Sequence, residues 1–205
     1  MTHYLIEFRF QGHAKEYVKT LIWNVSKKFK VKGVTRNHVV PHVSLFGPFS
    51  CRQERNMLKT VVDIASKYNL VPFTVSGFGH FRILLNKVVY VDISPSPELE
   101  NLRRDLATAL MPISYGFPNF DSKEKFHFHA TIAFKDIDWK FGAIWKYLKE
   151  REEPNIKQNL LRITIIKNKK ILAEYDLMQK KLLNRQAALS KREWNKTIEI
   201  MKKQI

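Results

Sequence analysis

One tetrapeptide pattern occurs twice in this chain, and it limits the possible fold more than any other feature. Pro41-His42-Val43-Ser44-Leu45-Phe46 and Phe128-His129-Ala130-Thr131-Ile132-Ala133-Phe134 both contain histidine, any residue, a hydroxyl residue and an apolar residue, in that order. With seven histidines in the chain, chance supplies about 0.3 such tetrapeptides. Both stretches are strand-like, and side chains at i and i+2 of a strand leave the same face. Each therefore aims one imidazole and one hydroxyl in a single direction. Two such strands facing each other bring two imidazoles and two hydroxyls to one place. Either segment alone also fits a histidine bonded into a core, so the pairing is what matters.

Such a set has a chemical use. In-line cleavage of a phosphodiester needs one proton removed from the nucleophile and another delivered to the leaving oxygen. Imidazole serves both steps, because its unperturbed pKa of about 6.5 leaves both forms available near neutrality. Hydroxyls at Ser44 and Thr131 can donate to the non-bridging phosphate oxygens, which hold charge through the transition state. The scheme requires no metal and no cofactor. His42 and His129 are thus the candidate acid–base pair.

The charge fits a polyanionic partner. The 205 residues include 36 Lys and Arg against 19 Asp and Glu, a formal net charge of +17. Residues 1–50 hold 8 basic and 2 acidic side chains and residues 151–205 hold 14 and 6, whereas residues 51–150 are nearly balanced at 14 and 11. The excess lies at the two ends, which form one positive surface if they meet in space. Lys27, Lys28, Lys30 and Lys32 also fit a merely solvated helix face. Charge alone points no further than a polyanion. Length points to one domain, expected to be monomeric. A lone cysteine, Cys51, excludes an internal disulfide framework and fits a reducing, cytoplasmic setting. No apolar run reaches the roughly 18–20 residues of a membrane span, and no leader-like segment opens the chain. Neither a G-x-x-x-x-G-K-[ST] loop nor a G-x-G-x-x-G is present, which argues against nucleoside triphosphate chemistry.

Alternation predicts strands over Tyr4–Phe10, His38–Phe46, Phe73–Phe78, Ile83–Ile93, Phe126–Phe134, Leu160–Lys167 and Ile171–Leu177. Gly47-Pro48 is expected to stop the second strand, Asn168-Lys169 to join the last two as a hairpin, and a turn to fall near Gly79 or Asn86-Lys87. Spacings of three and four predict helices over Ala14–Phe29, Arg52–Tyr68, Pro97–Leu110 and Trp139–Lys149. Met178–Ile205 reads as a polar, basic helix that either docks on the body or contacts a partner or RNA. Strand pairs mixed with helices suggest an α+β or mixed α/β domain with antiparallel pairing. Residues 1–177 would form the body and 178–205 a helical extension.

The segment from Pro41 to Phe49 resembles the first motif, and His129–Phe134 the second, of the 2H phosphoesterase superfamily. The nearest group is its 2′-5′ RNA ligase and RNA 2′,3′-cyclic phosphodiesterase branch. The likeness spans residues 3–177 and includes the late hairpin ending at Leu177. It implies an α+β, bilobal, pseudo-twofold fold: two antiparallel sheets with outer helices around a central cleft lined by both motifs. It also implies that His42 and His129 are the acid–base pair and that Ser44 and Thr131 hold phosphate. One histidine would activate water and the other protonate the departing 3′-oxygen, leaving a 2′-phosphate. Ligation would be the reverse chemistry, with an RNA hydroxyl in place of water. This chain has Phe128 where the family often has proline.

Other residues are candidates for substrate contact. His127 shares the face of His129; it is also half of a His-x-His metal pair, for which only Asp121 and Glu124 lie near. His38 shares the face of His42 by parity. His80 and Arg82 follow two glycines in the expected turn and suit a phosphate or base contact. Phe46, Tyr115 and Phe126 suit stacking on a nucleobase, with core packing the competing role for Phe126 and loop anchoring for Tyr115. The alternative to an enzyme is a non-catalytic RNA-binding protein that keeps the cleft for recognition and forms no product.

Overall fold

Alternation gives β1 (Tyr4–Arg9) two faces, with Ile6 and Phe8 in the core and Glu7 and Arg9 on the other side. The computed structural model describes residues 2–35, 40–83, 86–122 and 125–204. In α1 (Gly12–Phe29), the expected spacing buries Ala14, Val18, Leu21, Ile22 and Val25. β2 (His42–Cys51) does not stop at Gly47-Pro48; this peptide is cis, and pairing with β1 resumes at Phe49. α2 (Glu54–Ala65) follows, burying Met57, Val61 and Ala65. β3 (Val71–Ile83) and β4 (Asn86–Pro95) then form a long antiparallel pair. α3 (Pro97–Leu110) opens with Pro97 in its first turn, and Ser96 Oγ accepts from the Leu99 N–H at 3.3 Å. After the short β5 (Ser114–Tyr115) come β6 (His129–Phe134), α4 (Phe141–Lys149), β7 (Asn155–Leu160), β8 (Arg162–Lys167) and β9 (Lys170–Asp176). The chain closes with β10 (Lys181–Asn184), α5 (Arg185–Ala188) and α6 (Lys191–Lys202).

The strands make two antiparallel sheets, one ordered β10-β9-β8-β1-β2-β5 and the other β6-β4-β3-β7, so the class is α+β. Helices join the two sheets: α1 follows β1 of the first and packs on β6 and β7 of the second, while α3 lies between them, against β2 of the first and β3 and β4 of the second. One continuous core results. Phe8 and Phe10 of the first sheet meet Phe73 of the second, with centroids 5.0 and 5.8 Å apart. Such aromatic pairs add roughly 0.5–1.5 kcal/mol each beyond area burial. At the seam, β6 lies against β2.

Three expectations need correction. Residues 77–82 are strand, not turn: Gly79 sits opposite Tyr90, whose ring fills the place a Cβ would take. Leu160–Lys167 is two strands, dividing at Leu161, with β7 on β3 in one sheet and β8 on β1 in the other. Four of the six residues of β7 are polar, as suits an edge strand, so it carries little apolar alternation. Residues 178–205 are not one helix either. β10 extends the larger sheet beyond β9, and Asn184 and Ser190 cap the two helices that follow. Among the described residues, no helix is long and apolar enough to cross a membrane.

A buried polar network fixes this C-terminal segment. Thr197 of α6 is fully buried; its hydroxyl donates to Asp176 Oδ2 at 2.5 Å and accepts from Arg162 Nη2 at 2.7 Å. Arg162 Nε also donates to Asp176 Oδ2 at 2.8 Å, and the Trp194 ring lies over its guanidinium at 4.9 Å. Thr197→Val preserves shape and removes the hydroxyl, so it should lower the unfolding free energy by about 1–3 kcal/mol in urea melts. An unchanged midpoint would show that the network does not hold α6.

Candidate active site

His42 and Ser44 on β2, and His129 and Thr131 on β6, are half-buried, while Val43, Leu45, Ala130 and Ile132 between and beyond them are buried. Burying one of the larger aliphatic side chains is worth roughly 1.5–3 kcal/mol, so the core side of each strand fixes where its polar side points. A one-residue slip would drive the imidazoles into the core. Each strand also bulges at the same place. Pairing of β2 with β1 skips from Ser44 to Phe46, and pairing of β6 with β4 skips from Thr131 to Ala133. The extra residue, Leu45 or Ile132, resets the alternation just past the hydroxyl.

The two imidazoles are anchored alike. His42 Nδ1 lies 2.8 Å from the Val40 carbonyl oxygen, and His129 Nδ1 lies 3.0 Å from that of His127. A carbonyl oxygen only accepts, so each Nδ1 carries a hydrogen and each neutral ring has its lone pair at Nε2. Nε2 is therefore the nitrogen that can exchange a proton with a bound group.

Their surroundings differ. Arg9 is the cross-strand partner of His42. Buried Glu7 accepts from Arg9 Nε at 2.9 Å through Oε1, while its Oε2 lies 3.7 Å from His42 Nε2. His129 instead rests on aromatic rings, with centroids 4.9 Å from Phe81 and 5.1 Å from Tyr90, and is paired across the strand with Asp92. Burial lowers the His129 pKa from its ordinary value. Charge on His127 and on His42 acts in the same direction, and together these outweigh the His127 carbonyl and Asp92. β2 and β6, which carry the two rings, lie against each other. Burial, and then the charge of Asp92, hold the Tyr90 phenol above its usual value, so it remains a hydroxyl donor.

The remaining candidates divide. His127 joins the site: its Nε2 lies 3.3 Å from Asp92 Oδ1, and its ring stacks on His129 at 5.9 Å. Asp121 is elsewhere, buried, with Oδ2 accepting from the Gly47 N–H at 2.7 Å and Oδ1 3.3 Å from Arg103. His38 and Glu124 lie outside the described residues. Among the described residues, no three His, Cys, Asp or Glu side chains gather as a metal set. Phe46 cannot stack on a ligand: the bulge turns it inward, 0% exposed, onto Phe49 and Phe117. Tyr115 is exposed but pairs with Ser50, at the far end of β2 from His42. Arg82 has the parity of His80, whose ring packs on Phe141 and Trp145, so it leaves β3 on the face opposite Phe81. Phe126 packs on Phe128 and Arg103. Glu7, Arg9, Phe81, Tyr90 and Asp92 escaped the sequence reading. For four of them the signal is a polar residue at alternate positions of an apolar strand, as in Ile6-Glu7-Phe8-Arg9 and Tyr90-Val91-Asp92.

Residues 19–170 match the model of the 2′-5′ RNA ligase superfamily. No curated protein sequence matches the chain. By fold it is similar to E. coli LigT complexed with 3′-AMP, at 15% identity and a TM-score of 0.53, over 87% of this chain and 99% of LigT. It is also similar to a crystal structure described as a phosphoesterase, at 10% identity and a TM-score of 0.50, over 89% and 93% of the two chains. These two likenesses show a shared fold, and the family match covers most of the sequence, both histidine strands included. This chain belongs to the 2′-5′ RNA ligase superfamily, a group of 2H phosphoesterases.

Proposed function

We propose that the protein is a phosphodiesterase that opens RNA 2′,3′-cyclic phosphate ends to 2′-phosphates with two histidines and no metal. One observation supports this above others: two imidazoles anchored through Nδ1 on matching strands, each with a hydroxyl two residues on. His129, kept neutral by burial, takes a proton at Nε2 from water as the water oxygen bonds to phosphorus. The P–O3′ bond breaks on the opposite side, and His42 gives its Nε2 proton to the departing 3′-oxygen. Glu7, 3.7 Å from that nitrogen, is a counter-charge for the imidazolium. Ser44 and Thr131 donate to the non-bridging oxygens. Solvent then returns both histidines to their starting forms. With an RNA hydroxyl in place of water, the same step forms a 2′-5′ linkage. A fold neighbour's complex with 3′-AMP and the +17 charge are in keeping with a nucleotide or RNA substrate.

Incubation with a 2′,3′-cyclic nucleotide in excess chelator should yield the 2′-phosphate. Absence of product from cyclic nucleotides, cyclic-ended RNA and 2′-5′ oligomers would sink the proposal in favour of a protein that only binds RNA. His42→Ala and His129→Ala should each lower kcat by about 10²–10⁴-fold while leaving the circular dichroism spectrum unchanged. On the acid side, activity is lost as His129, whose neutral form accepts the proton, becomes protonated at its lowered pKa. The acid limb of kcat/KM should therefore lie below about pH 6.5; a limb above that value would assign the base elsewhere. Gly79→Ala should displace the Tyr90 ring from His129 and lower kcat by on the order of tenfold or more. An unchanged kcat would show that this ring does not set the position of His129.

A further inference from the structure

A cavity of about 370 Å³ opens between the larger sheet, the start of α1 and the C-terminal helices. Arg9, Thr164 and Glu174 of the sheet line it, together with Lys15 of α1 and Lys191 and Trp194 of α6. It adjoins the histidine strand β2 in two ways. Arg9 lines the cavity and is also the cross-strand partner of His42. In addition, Ser44, Glu7, Thr164 and Glu174 are paired in succession across β2, β1, β8 and β9, forming one row on one face of the sheet. Strands are spaced about 4.8 Å apart, so the cavity begins about 10 Å from Ser44.

The lining is positive. It holds Arg9, Lys15, Arg162 and Lys191 against a single carboxylate, Glu174. That carboxylate is already met within the protein, since Thr164 Oγ1 donates to it at 2.9 Å and Arg162 Nη1 lies 3.4 Å away. Arg162 is engaged by Asp176 and Thr197, and Arg9 by Glu7 through its Nε. Lys15 and Lys191 are exposed, and neither makes an ion pair among the described residues. Beside them is the half-buried Trp194 ring. Cations that track a backbone, next to an aromatic ring, are what single-stranded nucleic acid requires.

We infer that this cavity holds the nucleotide adjoining the reacting end of a single-stranded RNA, with its phosphate at Lys15, Lys191 and Arg9 and its base at Trp194. Residues 178–205, docked through Thr197, then make the protein prefer a strand to a mononucleotide. The subsite rests on the phosphodiesterase chemistry only for which end of the strand enters the cleft.

Equilibrium binding separates the two. A labelled trinucleotide ending in a 3′-phosphate is compared with a nucleoside 3′-monophosphate by anisotropy and competition on the full chain. The trinucleotide should bind about tenfold more tightly or better, and Lys15→Glu with Lys191→Glu should abolish that preference. Lys27→Glu with Lys28→Glu changes the charge equally about 18 Å further along α1 and should leave it intact. Equal affinities for the two ligands, or equal losses from the two double reversals, would overturn the subsite. Hydrolysis of a cyclic mononucleotide without strand preference defeats the subsite alone. Strand preference that depends on Lys15 and Lys191, without turnover of any substrate, defeats the catalytic proposal alone.

Discussion

The packing of β2 against β6 sets the conditions for everything in the cleft. Each strand gives one face to the common core, through Val43 and Leu45 or Ala130 and Ile132, and so has no freedom in where the other face points. α1 ties the first sheet to β6 and β7 of the second, and α3 touches strands of both. Because the core is continuous, the separation of the two histidines is a property of the hydrophobic packing of the whole molecule, not of a loop. The Nδ1 anchors then remove the last rotational choice, and do so identically in both lobes. The two rings differ in their neighbours: a carboxylate beside His42, and aromatic rings around His129.

Charge plays a separate part. The basic ends of the chain do meet, since Arg9 and Lys15 share one cavity with Lys191. They meet because β10 and α6 return over the larger sheet and are tied down by Arg162, Asp176 and Thr197. A buried ionic network of this kind contributes little net stability compared with a packed apolar one, yet breaking one partner is costly. Its effect here is positional: it sets where α6, with Trp194 and Lys191, stands relative to the cleft.

The repeated His-x-Ser/Thr pattern was legible because strand periodicity is a strictly local property, and the α+β class followed from the same alternation. What escaped depended on partners distant in sequence. Phe46 has the right parity to face a ligand until the bulge at Leu45 inverts it, and only the pairing with β1 reveals the bulge. A double apolar step after each hydroxyl, Leu45-Phe46 and Ile132-Ala133, is its trace in the sequence. Gly79 resembles a turn signal when viewed alone; opposite Tyr90 it is the gap that an aromatic ring fills. β10 and α6 read as one helix in the sequence because, of their residues, only Leu183 and Thr197 are buried, so no apolar period marks the break.

The central claim is that both imidazoles are held in the Nδ1–H form and present Nε2 to one phosphate. Long-range ¹H–¹⁵N spectra of the histidine rings, recorded above their titration range and with added nucleoside 2′-monophosphate, test it directly. Both His42 and His129 should show a protonated Nδ1 and a bare Nε2, with both Nε2 resonances moving as the ligand binds. A protonated Nε2 on either ring, or a response confined to one of them, would contradict it.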